Sequence, residues 1–265
     1  MNVSNKRELN ELVCSAEREK GRTKSNVIIT GSNRGIGKAM VEAFAASGAN
    51  IWACARKSTP EHEAWLKETA DKANVWIKPV YFELTDKDAI NAGIQSIIDD
   101  GQPIDGLVNN AGISTVGLLS MSKVEDIENL FAVNYFAMLS IIQKVSKRMA
   151  RQKKGVIINM GSIAGIEPQA GKIAYGSSKA AVMMMTQCLA KELGPMGIRV
   201  NAIAPGPIET EMIHQYNDEM LAKLAAESAL RRLGKKEEIA QVAVFLASEQ
   251  ASYINGEIIK VDGGR

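Results

Sequence analysis

The chain has 265 residues, of which 46% are hydrophobic and 23% charged. That composition excludes a disordered protein, whose apolar content would be low and whose charge would be unbalanced. The 32 basic and 30 acidic residues leave a net charge of +2, too small a field to gather nucleic acid. Three scattered cysteines (Cys14, Cys54, Cys188), no Cys-x-x-Cys pair and two histidines (His62, His214) argue against a disulfide framework or a metal centre. They favour a reducing, cytoplasmic setting. No apolar run reaches the roughly 18 residues that a membrane span needs.

Residues 1–24 read as a charged leader. Lys6, Arg7, Arg18, Lys20, Arg22 and Lys24 stand against Glu8, Glu11, Glu17 and Glu19, so the leader holds the whole formal net charge. Leu9, Leu12, Val13 and Ala16 have the spacing of a short amphipathic helix. The segment lacks the apolar core of a signal peptide.

Residues 25–265 read as one domain, with no linker, repeat or low-complexity tract. Short Val- and Ile-rich runs predict strands at 26–30, 50–54, 75–82, 104–109, 156–160, 198–203 and 257–261. Helical periodicity predicts helices near 36–47, 61–73, 86–99, 123–151, 174–193, 210–228 and 236–247. Strand and helix in strict alternation require right-handed crossovers. The expected fold is therefore α/β of the Rossmann-type doubly wound kind, a seven-stranded, mainly parallel sheet with helices on both faces.

The first strand runs into Thr30-Gly31-Ser32-Asn33-Arg34-Gly35-Ile36-Gly37. Gly31 permits a tight turn, Gly35 lets a pyrophosphate approach the backbone, and Gly37 lets helix and strand pack closely. The N–H groups and positive dipole end of the following helix would face the phosphates. The spacing is Gly-x-x-x-Gly-x-Gly, not the commoner Gly-x-Gly-x-x-Gly.

This turn resembles the cofactor turn of the short-chain dehydrogenase/reductase family. The other motifs of that family follow in order: Asn109-Asn110-Ala111-Gly112, Asn134, Ser162, Tyr175-x-x-x-Lys179 and Pro205-Gly206. The likeness covers about residues 25–264. Within the family, NNAGIS, RVNAIAPGPIETEM and INGEIIKVDGG are most similar to the 3-oxoacyl-[acyl-carrier-protein] reductase branch. The resemblance implies an NADPH-dependent carbonyl reductase of fatty-acid biosynthesis, transferring hydride to a ketone, best a 3-oxoacyl thioester. The alternatives are a dehydrogenase or reductase of a free alcohol, sugar or steroid, and a silent nucleotide-binding regulator. Intact Ser162, Tyr175 and Lys179 argue against the last.

The cofactor expectation is NADP(H). The position at which NAD-preferring folds carry an acid falls on Ala55, Arg56 follows, and Arg34 lies in the glycine turn. Two guanidinium groups and no carboxylate suit a 2′-phosphate. By resemblance, Gly31, Ser32, Asn33, Arg34, Gly35, Ile36 and Gly37 hold the phosphates and ribose, with Arg56. Glu83 and Leu84 border the adenine, Asn110, Ala111 and Gly112 line the middle of the cofactor, and Pro205, Gly206, Ile208 and Thr210 hold the nicotinamide end.

Tyr175 and Lys179 lie four residues apart in a helical stretch, so they share a face. A free phenol has a pKa of about 10, and the ammonium is expected to lower it. Tyr175 would donate the proton, Ser162 would orient the carbonyl, and Lys179 would serve both phenol and cofactor. The resemblance gives Asn134 a water linking Lys179 to solvent. Substrate-pocket variation in the family centres on 113–118, 166–173 and 208–230. The partner expected is a small-molecule or acyl-carrier-protein-bound carbonyl compound.

Lys144, Lys147, Arg148, Arg151, Lys153 and Lys154 concentrate positive charge at a helix end, either solvated or a docking surface for an acidic carrier protein. Met196 stands near the place where carrier-docking reductases have a further arginine. The long apolar helices 123–151 and 174–193 imply a homo-oligomer, a tetramer ahead of a dimer. Met183, Met184 and Met185 read as core or subunit contacts. No metal, nucleic acid or membrane is expected.

Overall fold

The computed structural model describes residues 24–211 and 217–265. The expected leader, apart from Lys24, lies outside the described residues, as does His214. The elements in chain order are β1 (Asn26–Thr30), α1 (Gly35–Ala46), β2 (Asn50–Ala55), α2 (Pro60–Ala73), β3 (Ile77–Tyr81), α3 (Lys87–Asp99), β4 (Gly106–Asn109), α4 (Val124–Phe131), a π-helical segment (Ala132–Ala137), α5 (Met138–Gln152), β5 (Gly155–Met160), α6 (Ile173–Leu193), β6 (Ile198–Pro205), β7 (Ile208–Glu209), α7 (Asp218–Ala226), β8 (Gly234–Lys235), α8 (Lys236–Ala247) and β9 (Ile258–Val261).

Seven strands form one sheet in the order β3-β2-β1-β4-β5-β6-β9. Every pairing is parallel. Because side chains alternate across a strand, each buried run feeds two cores. Val27 and Ile29 of β1, Ile51 and Ala53 of β2, and Val156 and Ile158 of β5 pack with α1 and α8 on one face. Ile28, Trp52 and Ile157 pack with α3, α5 and α6 on the other. Ile28 is fully buried, a burial that contributes about 1.5–3 kcal/mol. β3 is an edge strand and half exposed, which is why Pro79 is tolerated there.

The order reverses beside β1, whose neighbours are β2 on one side and β4 on the other. The crevice beyond the C-terminal ends of β1 and β4 is the place where such sheets bind ligands.

Three expectations change. The single helix expected over 123–151 is α4, a π-helical segment and α5. The extra residue per turn belongs to the stretch that carries Asn134, whose side chain is bound from outside the helix. Of the helix expected over 210–228, residues 212–216 lie outside the described residues; the described part forms α7 at Asp218–Ala226, where the Asn217 side chain caps the start by accepting from the Met220 N–H at 2.9 Å. A two-stranded bridge, β7 with β8, has no periodic signal in so short a run. Among the described residues no helix is long and apolar enough to cross a membrane.

Candidate active site

Gly31 and Gly35 have φ of +66° and +51°, a region that costs other residues strain. Gly37 is required for closeness: a Cβ there would lie 1.9 Å from the Gly31 carbonyl oxygen. The first turn of α1 contains no acidic residue, and the side chain of its N-cap, Arg34, makes no capping bond. The opening N–H groups of α1 are therefore left for an external anion, and a pyrophosphate fits that donor set. Asn33 and Arg34 are exposed beside them.

Ser32 has a different task in this fold. It is fully buried, and both its N–H and its hydroxyl donate to the Cys54 carbonyl, at 3.1 and 3.0 Å. Its side chain ties the turn to β2. Asn110 braces the turn from β4, its amide donating to the carbonyls of Thr30 and Gly31 at 3.1 Å each. The N–H groups of Asn110 and Ala111 donate to the Thr30 hydroxyl, also at 3.1 Å. Thr30 is the structural hub here and was not singled out from the sequence, although it directly precedes Gly31.

At the adenosine end, Thr30 and Cys54 are register neighbours, so the residues that follow them, Arg34 and Arg56, flank the same strand ends. Arg56 Nε lies 4.0 Å from Glu83 Oε2, with both side chains well exposed. The other Glu83 oxygen accepts from the Leu84 N–H at 2.9 Å. An ion pair this exposed is worth about 0–1 kcal/mol, so a phosphate can displace it readily.

Ser162 follows β5 and caps a short 3-10 turn, its Oγ accepting from the Ala164 N–H at 3.2 Å. Tyr175 and Lys179 stand on one face of α6, with the Lys179 ammonium 5.8 Å from the Tyr175 ring centroid. Lys179 is 3% exposed and donates to the Met160 carbonyl at 2.7 Å. Burial pulls its pKa down to about 8, so it is still mainly protonated at neutral pH.

The expected lowering of the Tyr175 pKa by Lys179 is corrected. Burial pushes the phenol up, and the hydrogen bond with Ser162 offsets this only in part. Desolvation of the phenol outweighs the contacts that favour its charged form, while the Lys179 ammonium donates to the β5 carbonyl. The phenol is therefore held neutral, in the form of a proton donor.

Asn134 is fully buried and anchored to the loop after β4. Its Oδ1 accepts from the Ile113 N–H and its Nδ2 donates to the Ile113 carbonyl, both at 2.9 Å. Nδ2 also donates to Ser178 Oγ at 3.2 Å. A Cβ on Gly112 would lie 3.1 Å from Asn134 Oδ1 and 3.6 Å from Lys179 Nζ, so Gly112 lets this amide and ammonium stand close together.

The segment after β6 completes the crevice. Gly206 donates to the Val261 carbonyl at 3.0 Å and leaves no room for a side chain against Asp262. Ile208 is buried, and the Thr210 hydroxyl points to the Ile208 carbonyl at 3.5 Å. Thr210 Cγ2 lies 3.6 Å from the Cβ position of Gly35, so this segment reaches back over the glycine turn.

A cavity of about 560 Å³ opens at the start of α6, walled by Leu118, Leu119, Ile166, Pro168, Lys172 and Ile173 among others; Tyr175 is not part of its wall, although the neighbouring Lys172 and Gly176 are. Segments 113–118 and 166–173 contribute residues to its wall, while part of 208–230 lines a separate cavity of about 230 Å³ with Pro207, Ile208, Ser228 and Leu230. Sequence reading passed over two features here. Lys172 places its ammonium 5.7 Å from the Tyr175 ring centroid. Behind the site, a buried chain of hydrogen bonds runs from Asn109 to Asn159 and on to Thr186, each at 2.9 Å.

A family model described as Enoyl-(Acyl carrier protein) reductase matches residues 31–265. The chain is 38% identical over 237 residues to the 3-oxoacyl-[acyl-carrier-protein] reductase FabG of Thermotoga maritima, covering 89% of this chain and 96% of that protein. Among solved structures, it is similar to L-sorbose reductase from Gluconobacter frateurii complexed with NADPH and L-sorbose, with TM-score 0.85 and 31% identity over 91% of this chain and 96% of that one. It is also similar to a 3-oxoacyl-[acyl-carrier protein] reductase with bound NAD from Brucella melitensis, with TM-score 0.80 and 31% identity over 92% and 91% of the two chains. With sequence and backbone agreeing over nearly the full domain, the chain belongs to the short-chain dehydrogenase/reductase family and is an oxidoreductase acting between alcohol and ketone.

Proposed function

We propose that this protein is an NADPH-dependent reductase of 3-oxoacyl thioesters, with residues 25–265 working as one catalytic domain. The observation that carries the reading is the pairing of Tyr175 with the buried Lys179 on one face of α6, the ammonium 5.8 Å from the phenol ring centroid, with a largely apolar cavity at the start of the same helix. A reduced nicotinamide supplies the hydride when bound. Ser162 and Tyr175 hold the ketone oxygen, Tyr175 transfers its proton to that oxygen, and the Lys179 ammonium stabilises the phenolate left behind. Asn134 holds the loop after β4 against Lys179 and supports a water path by which the phenolate is reprotonated.

The preference for NADP(H) is supported by Arg34, Arg56 and the absence of an acid at Ala55. Solved relatives hold either form, NAD in the Brucella melitensis reductase and NADPH in the sorbose reductase, so the preference rests on these residues. The likeness to the sorbose reductase favours a second reading, reduction of a sugar or polyol ketone. The apolar walls Leu118, Ile166 and Ile173 favour an acyl chain instead.

The exposed Phe136 and Met184 on the π-helical segment and α6 support a homo-oligomer through these helices, a tetramer ahead of a dimer. The basic helix end at Lys144–Lys154 would offer an acidic carrier protein its docking surface, in a cytoplasmic setting. The test is steady-state reduction of acetoacetyl-CoA, an acyl-carrier-protein-bound 3-oxoacyl group and L-sorbose, each with NADPH and NADH. Preference for the thioesters and NADPH supports the reading, and activity confined to the sugar overturns it.

A further inference from the structure

Lys172 is the one ionisable side chain among the described residues that line the cavity at the start of α6. The rest of the wall is apolar or neutral, with Gln169 and Ser177 its polar members. Its ammonium lies 5.7 Å from the Tyr175 ring centroid, within the range at which a cation and an aromatic face attract. Among the described residues it makes no ion pair, whereas Lys78, Lys154 and Lys260 each find a carboxylate. An unpaired cation at an apolar wall is a feature that a ligand oxygen would satisfy.

The backbone holds this lysine in place from both sides. Lys172 is the N-cap residue of α6, donating to the Gln169 carbonyl at 3.2 Å and accepting from the Gly176 N–H at 2.7 Å. The preceding Gly171 has φ of +78° and accepts from the Gly117 N–H at 2.9 Å, which latches the 171–172 turn to the opposite wall. Lys172 thus stands in the cavity wall three residues before Tyr175, with its ammonium held near the Tyr175 ring.

We propose that Lys172 is a specificity-determining residue whose ammonium, set 5.7 Å from the Tyr175 ring at the wall of the cavity, takes the second oxygen of a 1,3-dioxygenated substrate. This rests on the 3-oxoacyl reading and deepens it. With the C3 oxygen held by Ser162 and Tyr175, the C1 carbonyl is one methylene away and meets the cation. A ketone whose second oxygen is displaced along the chain gains no such contact, because the lysine backbone is latched.

The test compares two small esters that differ in the position of the second carbonyl, ethyl acetoacetate and ethyl levulinate, with acetoacetyl-CoA as a third substrate. The quantity read is the ratio of kcat/KM for the 3-oxo ester to that for the 4-oxo ester. Lys172→Gln is expected to lower this ratio roughly tenfold or more, the scale of one charge-assisted hydrogen bond. Lys172→Arg should restore most of it, and NADPH fluorescence titration verifies that each variant is folded. A ratio unchanged in Lys172→Gln overturns the assignment, while reduction of acetoacetyl-CoA by the same wild-type preparation leaves the thioester reading standing. Failure to reduce acetoacetyl-CoA, with the ester ratio still falling in Lys172→Gln, supports the lysine and overturns the thioester. Reduction of neither 3-oxo compound overturns both.

Discussion

Replacing Lys179 by Met should produce a protein that is more stable and almost inactive. The ammonium is 3% exposed, and burial lowers its pKa from 10.5 to about 8. At 1.36 kcal/mol per unit, keeping that charge in the folded state costs about 3 kcal/mol at neutral pH. Met is of similar length and carries no charge. Losing the hydrogen bond to the Met160 carbonyl returns about 1 kcal/mol, leaving a net gain of about 2 kcal/mol. For a domain of this size that corresponds to a rise in Tm of roughly 4–8 °C.

The pH dependence distinguishes this cause from better packing. Below about pH 8 both folded and unfolded wild type hold the proton, so the wild type carries the full cost. Between about 8 and 10.5 the folded state has released the proton while the unfolded state has not, and wild-type stability recovers. The advantage of Lys179→Met should therefore be largest at neutral pH and fade toward pH 10.5. Thermal unfolding of the cofactor-free proteins by circular dichroism, at neutral and alkaline pH, measures it. A variant no more stable than wild type at neutral pH, or an advantage independent of pH, refutes the reasoning.

Tyr175→Phe keeps the ring and removes the proton, so turnover should fall about 10²–10⁴-fold while NADPH affinity by fluorescence titration stays nearly unchanged. Arg56→Ala should weaken NADPH by roughly ten- to a hundredfold and NADH little, since one charge-assisted contact to the 2′-phosphate is lost; equal losses for both cofactors would remove Arg56 from the recognition of that phosphate. His62 is buried, stacked on Trp65, and among the described residues neither ring nitrogen has a hydrogen-bond partner. Desolvation lowers its pKa below the ordinary 6.5, so its contribution to stability is present above that value and is lost as pH falls below it. Urea midpoints measured between about pH 5 and 7 should decline more steeply for wild type than for His62→Leu.

Local pattern in this sequence was enough to place most strands and helices, the glycine turn and the pairing of Tyr175 with Lys179. Alternation of two, periodicity near four and the need for φ above zero at Gly31 and Gly35 are properties of adjacent residues. What the tertiary structure decided depends on partners distant along the chain. The π-helical segment around Asn134 exists with its amide bound to Ile113, 21 residues away. The inward turn of Ser32 follows from the Cys54 carbonyl, 22 residues away. The sign of the Tyr175 shift is not legible in the sequence, because the i, i+4 rule reports proximity, whereas the pKa answers first to desolvation by the surrounding fold. Lys172, an ordinary charge in the sequence, becomes the one cation among the described residues of a neutral cavity wall only once the segments around Leu118 and Ile166 are brought beside it, since burial and field are set by all surrounding elements together.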